Sequence, residues 1–332
     1  MASPVPRPET IDKLISAVYP SFAMLAGMQL DVFTPLKDGP MSAEHLAQAL
    51  GVQPAKLARL LYALVVAGLL TVDGDHFANT PEAHEFLVKG RPAYRGGTHE
   101  GILMRWQAAL QTAATIRAGS PQAKQDYAAM SPERLTATYR GIHAEAVASA
   151  RALMAQYDFS AYRSLADVGG GSGGLALTLA AACPQLHATV IDLPTVTPIT
   201  QQYIEAVGLI DRVHVMAANV VHGPLTGAFE VAVLSRFIQV LSADQARHAL
   251  RHVSQIIAPG GTIYIVGQII DNSRLSPLEP VLSNLFFLNV FDEGQAYTEQ
   301  EHRDWLTEAG FGGIERVVLP NNMSIVSAKK PR

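Results

Sequence analysis

A run of five glycines in six residues, Gly169–Gly174, constrains this 332-residue chain more than any other segment. The run follows the apolar stretch Ser164–Val168 and precedes an alanine- and leucine-rich stretch at 175–182. Because glycine has no Cβ, the backbone of such a turn can approach a ligand closely. Strand, glycine turn and helix together predict the start of a nucleotide-binding βαβ unit. Asp192 follows Asp167 by twenty-five residues at the end of a second apolar run, where a ribose diol would be held.

From Leu165 onward, short apolar runs alternate with helical patterns. This alternation predicts an α/β fold with a Rossmann-like, doubly wound and mostly parallel sheet. Helices are predicted at Ala243–Ala258 and Glu299–Ala309. The predicted strands are Leu165–Val168, Ala188–Asp192, Val213–Ala217, Val231–Leu234, Thr262–Val266 and Gly313–Leu319.

The preceding part of the chain is predicted to be mainly helical and to contain a winged helix. Ser42 is placed as the N-cap of a helix that ends at Gly51, and a second helix is predicted from Lys56. Two short strands around an Asp-Gly turn follow at 70–80. A winged helix can bind DNA, but Lys56 and Arg59 are the basic residues of the second helix and the net charge is −4. We therefore expect no nucleic-acid partner.

Composition limits the remaining classes of protein. Hydrophobic residues make up 48% of the chain and charged residues 16%, which is enough for a large core and a subunit interface. The single cysteine, Cys183, cannot form an intramolecular disulfide and is predicted to be a core residue. The N-terminal residues Met1–Pro6 lack a secretion signal, and no apolar run reaches the length of a membrane span. A cytoplasmic protein without a membrane partner or a metal site is the expectation.

Four segments together resemble a known family. They are the glycine turn with Asp167, the stretch Ile191–Pro194, Pro259–Gly261 before a strand, and Ala309–Phe311. In this order they resemble the class I S-adenosylmethionine (SAM) methyltransferases, and most closely the plant-type small-molecule O-methyltransferases. The resemblance covers essentially the whole chain. It implies a homodimer with a winged-helix dimerisation domain at 1–100, a helical linker at 101–160 that lines the substrate pocket, and a SAM-binding catalytic domain at 161–332.

The resemblance also implies roles for individual residues. The glycine turn and Asp167 would approach the methionine half of SAM, and Asp192 would accept hydrogen bonds from the ribose. Asn219 stands where the family usually has an aspartate near the adenine amino group. The implied cofactor residues are Asp167, Gly169, Gly171, Asp192, Leu193, Asn219, Ser235 and Arg236.

The general base of the family has no counterpart in this chain. The catalytic histidine and the aspartate after it align with Gln239 and Val240, and glutamine cannot accept a proton. The two carboxylates that orient the histidine align with Gln268 and Ala296. The absence of the histidine and of both carboxylates that orient it indicates different chemistry. Gln239, His143 and Gln268 remain as candidates for positioning the substrate, with His143 also a candidate base.

Three explanations of the missing base stay open: a neutral thioether nucleophile, an already ionised or activated nucleophile, and a different base. We favour the first, because the chain resembles the methylthiohydroxybutyrate S-methyltransferases of dimethylsulfoniopropionate synthesis. The alternatives are an O- or C-methyltransferase of an aromatic natural product and a non-catalytic SAM-binding winged-helix regulator. The predicted substrate contacts are Arg105, Trp106, Tyr139, Arg140, His143 and Asn289, with the arginines as carboxylate partners.

Overall fold

The computed structural model describes residues 6–332, so the prediction about the leader sequence lies mostly outside the described residues. The chain divides into two compact units, one ending at Trp106 and the other spanning Gln107–Arg332. The sequence predicts three parts with boundaries at 100 and 160. Most of the predicted linker therefore belongs to the second unit, and helix α6 (His99–Ala109) crosses the boundary between the units.

The described part of the first unit contains five helices, most of α6 and a small antiparallel sheet. The helices are α1 (Glu9–Ser16), α2 (Val18–Gln29), α3 (Ala43–Leu50), α4 (Pro54–Val66) and α5 (Pro81–Leu87). Strands β1 (Met41–Ser42), β2 (Leu70–Asp73) and β3 (His76–Asn79) form a sheet in the order β1-β3-β2. Ser42 caps α3 by accepting a hydrogen bond from the His45 amide at 3.3 Å, and Gly51 ends it in a left-handed conformation, as the sequence predicts.

The second unit contains a seven-stranded sheet in the order β6-β5-β4-β7-β8-β10-β9. Strands β4 to β8 run parallel, and β10 pairs antiparallel with both β8 and β9. The strands are β4 (Ser164–Val168), β5 (His187–Asp192), β6 (Val213–Ala217), β7 (Phe229–Ser235), β8 (Ile257–Gly267), β9 (Gly312–Val318) and β10 (Ser324–Lys329). The predicted doubly wound, mostly parallel sheet is confirmed.

The second unit also contains seven helices in addition to the residues of α6 that belong to it. They are α7 (Thr112–Ala118), α8 (Pro132–Gln156), α9 (Gly174–Ala182), α10 (Thr197–Val207), α11 (Ala243–Ile256), α12 (Leu278–Val290) and α13 (Glu299–Glu308). The strand order reverses between β4 and β7, because β5 and β6 lie on one side and β8 on the other. In open α/β sheets, ligands bind at this reversal, beyond the carboxyl ends of the strands. Asp167 near the end of β4 and Ser235 at the end of β7 therefore flank the expected site.

The structure differs from the predicted elements at two places. Strand β8 already begins at Ile257, where it pairs with Phe229 of β7, so α11 ends at Ile256 rather than at Ala258. The Lys330 ammonium donates to the Ser254 and Ile257 carbonyls at 2.6 and 2.8 Å and closes the end of this helix. Strand β10 (Ser324–Lys329) has no counterpart among the strands that the sequence predicts.

Cys183 is buried, as predicted, and lies in the apolar cluster under α9. Across residues 6–332 no single helix has both the length and the apolar character needed to cross a membrane. Helices α3 and α4 together have that length and apolar character, but the chain bends by 110° between them.

Candidate active site

A cavity of about 640 Å³ opens at the carboxyl ends of β4, β5 and β7. Its volume is in the range typical of small-molecule sites. The glycine turn forms one wall, and residues 124–128 and 291–293 form part of another. All eight predicted cofactor residues line this cavity: Asp167, Gly169, Gly171, Asp192, Leu193, Asn219, Ser235 and Arg236.

The glycine turn is shaped so that side chains are excluded from it. Gly169 and Gly171 have φ angles of 66° and 57°, which L-residues with side chains rarely adopt. A Cβ on Gly169 would lie 2.2 Å from the Phe237 ring, and one on Gly171 would lie 2.5 Å from the Tyr139 ring. The turn is therefore a cradle of bare backbone at the cavity wall.

Asp192 connects the end of β5 to this turn. One carboxylate oxygen accepts a hydrogen bond from the Gly171 amide at 2.8 Å, and the other accepts one from the Leu193 amide at 2.7 Å. Burial raises the pKa of Asp192 to about 6, although both hydrogen bonds oppose this shift. The carboxylate therefore fixes the turn and still faces the cavity, where its remaining lone pairs could accept ribose hydroxyls.

Asp167 and Ser235, which both line the cavity, each have a buried oxygen without a hydrogen-bond partner among the described residues. Asp167 is fully buried; its Oδ2 accepts from the Ala176 amide at 3.2 Å, while its Oδ1 has no partner among the described residues. The Ser235 hydroxyl is also buried without a described partner. Burial raises the pKa of Asp167 to about 7. Buried polar groups are nearly always paired, so these atoms indicate a missing polar ligand, and a carboxylate suits a cationic one.

Asn219 and Arg236 already make contacts within the protein. The Asn219 side-chain oxygen accepts a hydrogen bond from the Val221 amide at 3.1 Å, which leaves its amide nitrogen and one lone pair for a ligand. The Arg236 guanidinium forms an ion pair with Glu145 at 3.0 Å. Arg236 therefore lines the cavity with its positive charge already paired to Glu145.

Comparison with known families adds the deciding observation to this geometry. Residues 118–312 match the family model of the O-methyltransferase domain, and residues 13–89 match the O-methyltransferase dimerisation domain. The chain belongs to the O-methyltransferase family. The family uses SAM as its methyl donor, and the bare turn, Asp192 and the unsatisfied Asp167 and Ser235 atoms fit this cofactor.

Named methyltransferases match nearly the whole length of the chain. The tetracenomycin polyketide synthesis 8-O-methyl transferase TcmO of Streptomyces glaucescens is 28% identical, over 98% of this chain and 97% of its own. The N,N-dimethyltransferase OxyT of Streptomyces rimosus is also 28% identical, over 93% and 92%. The crystal structure of human N-acetylserotonin methyltransferase in complex with SAM shares the fold, with a TM-score of 0.85, 21% identity and full coverage of both chains.

Gln239 does not face the large cavity. Its side-chain oxygen accepts a hydrogen bond from the Gln268 amide at 3.0 Å, next to Gly267. Gln239 and Gln268 line a separate void of about 10 Å³. Gln239 therefore supports the end of β8 by accepting from the Gln268 backbone amide. The Gln268 side-chain oxygen is buried without a partner among the described residues, and the role of the two side chains in positioning the substrate stays a prediction.

His143 and Asn289 are also directed elsewhere. The His143 imidazole shares a hydrogen bond of 2.8 Å with the Ser172 hydroxyl, and burial lowers its pKa. Asn289 is fully buried, where its amide binds Thr112 and Thr115 of α7 at 2.9 and 2.6 Å. Neither residue lines the large cavity, so the structure supports neither the predicted base role of His143 nor a substrate contact of either residue. In each case a protein partner satisfies the polar group that suggested a substrate contact.

The remaining predicted substrate contacts differ in their placement. Tyr139 lines the cavity, as predicted, and is buried against the glycine turn. Arg140 is exposed on α8 and does not line the cavity, so the structure does not support its predicted contact. Arg105 and Trp106 belong to the first unit, where Arg105 is exposed and Trp106 packs edge-on against Phe22 with ring centroids 5.4 Å apart. Their contact with the substrate stays a prediction.

Sequence reasoning missed the segment 124–128 and the aromatic residue Phe291. Backbone hydrogen bonds tie this segment to the end of α12, from Ala123 to Asn289 and from Gln125 to Val290. An ion pair of 2.7 Å between Lys124 and Asp292 adds to them. The segment has no periodic pattern, so the sequence gives no signal that it lines the site.

Replacing Gln239 by alanine should lower stability more than it lowers activity. The change leaves the Gln268 amide without its acceptor, which typically costs about 1–3 kcal/mol of unfolding free energy. Loss of a true general base would instead remove about two to four orders of magnitude from the rate. Denaturant unfolding and single-turnover rates measure the two effects. A rate loss of a hundredfold or more in folded protein would contradict this assignment of Gln239.

The pH dependence of stability should report the buried carboxyl of Asp167. Its pKa rises from 3.8 to about 7 on folding, so its stabilising contribution is complete below pH 3.8 and is lost as pH rises through 7. Without cofactor, the wild type should lose unfolding free energy relative to Asp167→Asn between pH 5 and 7, at up to about 1.4 kcal/mol per pH unit. Parallel stability curves for the two proteins over this range would show that the folded pKa of Asp167 is not raised.

Proposed function

We propose that this chain transfers the methyl group of SAM to a hydroxyl of an aromatic small molecule, one that ionises without a base from the protein. The observation that carries the proposal is the orientation of Gln239, which the family resemblance aligns with the catalytic histidine. Its side chain points away from the large cavity and accepts a hydrogen bond from the Gln268 backbone amide. A hydroxyl bound beside SAM would therefore have to be ionised by its own acidity.

Aromatic and apolar side chains on the cavity wall support an aromatic acceptor. The Tyr127 ring lies between Tyr139 and Phe291, with centroid distances of 6.1 and 6.5 Å. Phe237 and Leu241 line the same cavity. Burial raises the pKa of Tyr127 to about 12 and raises that of Tyr139 as well, so both phenols stay protonated near neutral pH. These rings can hold a flat acceptor but cannot take its proton.

The names of the relatives support the same class of acceptor. TcmO acts in tetracenomycin polyketide synthesis, and a 29% identical relative from Streptomyces sahachiroi is a 3-hydroxy-5-methyl-1-naphthoate 3-O-methyltransferase. OxyT is named as an N,N-dimethyltransferase, so the acceptor atom varies among relatives of similar identity. An electron-rich ring carbon of the same compounds is the remaining alternative.

The favoured thioether acid has lost its support. Its carboxylate needs a cationic partner, and Arg140 lies outside the cavity. Among the described lining residues, Arg236 is paired with Glu145, and Lys124 is paired with Asp292 at 2.7 Å. An anionic substrate would have to compete with both carboxylates, so we abandon S-methylation as the preferred reaction.

The mechanism then depends on positioning. SAM supplies a methyl group on a sulfonium, which makes the neutral thioether a good leaving group. The glycine turn and Asp192 hold the cofactor, while Asp167 and Ser235 offer acceptors and a hydroxyl to its polar groups. The rings of Tyr127, Tyr139 and Phe291 orient the acceptor and exclude water. The acceptor would lose its proton to solvent before it binds, and bound SAM would supply an electrophilic methyl group to its oxygen and leave as SAH. The contribution of the protein would then be proximity and orientation, which accelerate such a transfer strongly.

A panel of acceptors tests this proposal. Formation of S-adenosylhomocysteine (SAH) should be measured with naphthols, aminonaphthalenes, electron-rich arenes without a hydroxyl, and methylthiohydroxybutyrate. We expect turnover with the naphthols, with NMR placing the new methyl group on oxygen. Turnover confined to amines or to the thioether, or methylation on carbon, would overturn the proposed acceptor atom.

We also propose that the chain is a homodimer, joined through its first unit. Residues 13–89 match the family's dimerisation domain. Large apolar side chains are exposed on α1 and α2, where Ile11, Leu14 and Tyr19 are 61%, 66% and 67% exposed. Continuous exposed apolar surface of this kind marks interaction sites. Sedimentation equilibrium should give twice the chain mass, and replacing Leu14 and Tyr19 by glutamate should give the monomer mass.

A further inference from the structure

The imidazole of His143 lies against the outside of the glycine turn. His143 is on α8, and its Nδ1 shares a hydrogen bond of 2.8 Å with the hydroxyl of Ser172. Ser172 is 2% exposed and lies between Gly171 and Gly173, both of which have positive φ angles. This hydrogen bond therefore joins a long helix to the middle of the turn that forms the cofactor cradle.

The ring of His143 is fixed on two further sides. It stacks on Tyr203 of α10 with a centroid distance of 4.4 Å and an interplanar angle of 9°. A Cβ on Gly174, the first residue of α9, would lie 3.1 Å from the imidazole Cε1. The partial positive charge of a helix N-terminus disfavours a charged imidazole beside it, which agrees with the pKa of His143 being lowered by burial. The ring is therefore neutral and is closely packed between Tyr203 and the start of α9.

Residues of α10 and β5 also form hydrogen bonds with the glycine turn. Thr200 of α10 donates a hydrogen bond to the Gly171 carbonyl at 2.5 Å, and Asp192 accepts one from the Gly171 amide. Both of these contacts reach Gly171, whereas the His143 contact reaches Ser172. Three glycines of this turn have left-handed backbone conformations, and glycine is conformationally free wherever the structure does not restrain it. Each hydrogen bond that restrains the turn before the cofactor binds therefore reduces the entropy lost on binding.

We propose that His143 is a positioning residue for SAM, which acts through its hydrogen bond to Ser172 and its stacking on Tyr203. It keeps the glycine turn in the conformation that binds the cofactor and touches neither the cofactor nor the acceptor. This role replaces that of a general base and is independent of the acceptor proposed above, because it concerns cofactor binding alone.

Two substitutions of His143 separate the hydrogen bond from the stacking. His143→Phe keeps a ring for Tyr203 and removes the partner of Ser172, whereas His143→Asn keeps a hydrogen-bonding group near the Nδ1 position and removes the ring. His143→Phe should raise the SAH dissociation constant about fivefold, the equilibrium effect of one lost hydrogen bond. His143→Asn should recover part of this loss. His214→Phe, an exposed histidine on β6, is the matched control and should bind SAH like the wild type.

A double-mutant cycle and hydrogen exchange complete the test. Ser172→Ala should weaken SAH binding as much as His143→Phe, and the double variant should be no weaker than either, since both remove the same contact. In cofactor-free His143→Phe, the amides of residues 169–174 should exchange about fivefold faster, and kcat at saturating SAM should stay within about twofold of the wild type. Additive losses, unchanged exchange or SAH affinity, or a hundredfold fall in kcat with unchanged SAH affinity would each overturn the proposal.

Discussion

Replacing Asp192 by alanine should raise the dissociation constant of SAH by at least about 100-fold. The carboxylate accepts two backbone hydrogen bonds, from Gly171 and Leu193, and hydrogen bonds to charged groups contribute about 1.5–3 kcal/mol each. Its loss frees the glycine turn from β5 and also removes the proposed acceptor of the ribose hydroxyls. Isothermal titration calorimetry with SAH measures the effect directly.

Two further variants make the Asp192 prediction specific. Asp192→Asn retains one oxygen acceptor and should fall between the wild type and alanine. Asp158→Ala removes an exposed aspartate that also accepts a backbone hydrogen bond, from Ser160 at 2.8 Å, and lies outside the cavity. It should bind SAH normally. If Asp192→Ala folds and binds SAH within about fivefold of the wild type, Asp192 does not organise the cofactor site.

Replacing Gly169 by alanine should abolish measurable SAH binding. The φ angle of 66° costs an L-residue about 1–2 kcal/mol, and the new Cβ would lie 2.2 Å from the Phe237 ring. Since Phe237 lines the cavity, relief of this clash must move either the turn or the cavity wall. We expect a loss of stability of about 1–3 kcal/mol together with the loss of binding, measured by thermal unfolding and calorimetry.

Gly208 provides the control that separates backbone strain from the clash. Its φ angle is 75°, and a Cβ there would meet nothing within 4 Å. Gly208→Ala should therefore lose similar stability from strain alone and keep its affinity for SAH. Equal loss of SAH binding in both variants would mean that the cradle around Gly169 is not needed for the cofactor.

The sequence predicts well which residues of the glycine turn and of β5 line the cavity, because backbone conformation determines their placement. A turn as rich in glycine as Gly169–Gly174, between an apolar strand and a helix, has few alternative structures. Asp192 follows from the end of the next strand by the same reasoning. The strand order then brings β4 and β7 together, as a doubly wound sheet requires.

The acceptor side could not be predicted in the same way because it depends on how helices pack. His143 and Asn289 are polar residues in helices, and the sequence does not specify which neighbour satisfies them. Asn289 accepts a hydrogen bond from Thr115 of α7, which lies more than 170 positions away in the chain. Tyr127 lies in an irregular segment whose path is fixed by contacts with α12, which no local pattern encodes.

The pH dependence of kcat/KM for a series of ring-substituted naphthols tests most directly whether the protein supplies a base. If the acceptor ionises unaided, log kcat/KM should rise with pH at a slope of about one and level off near the pKa of each acceptor's own hydroxyl. The inflection should therefore move with the acceptor when ring substituents change that pKa, and Gln239→Ala should leave it in place. An inflection at one common pH for all acceptors would reveal a titrating protein group and contradict the account.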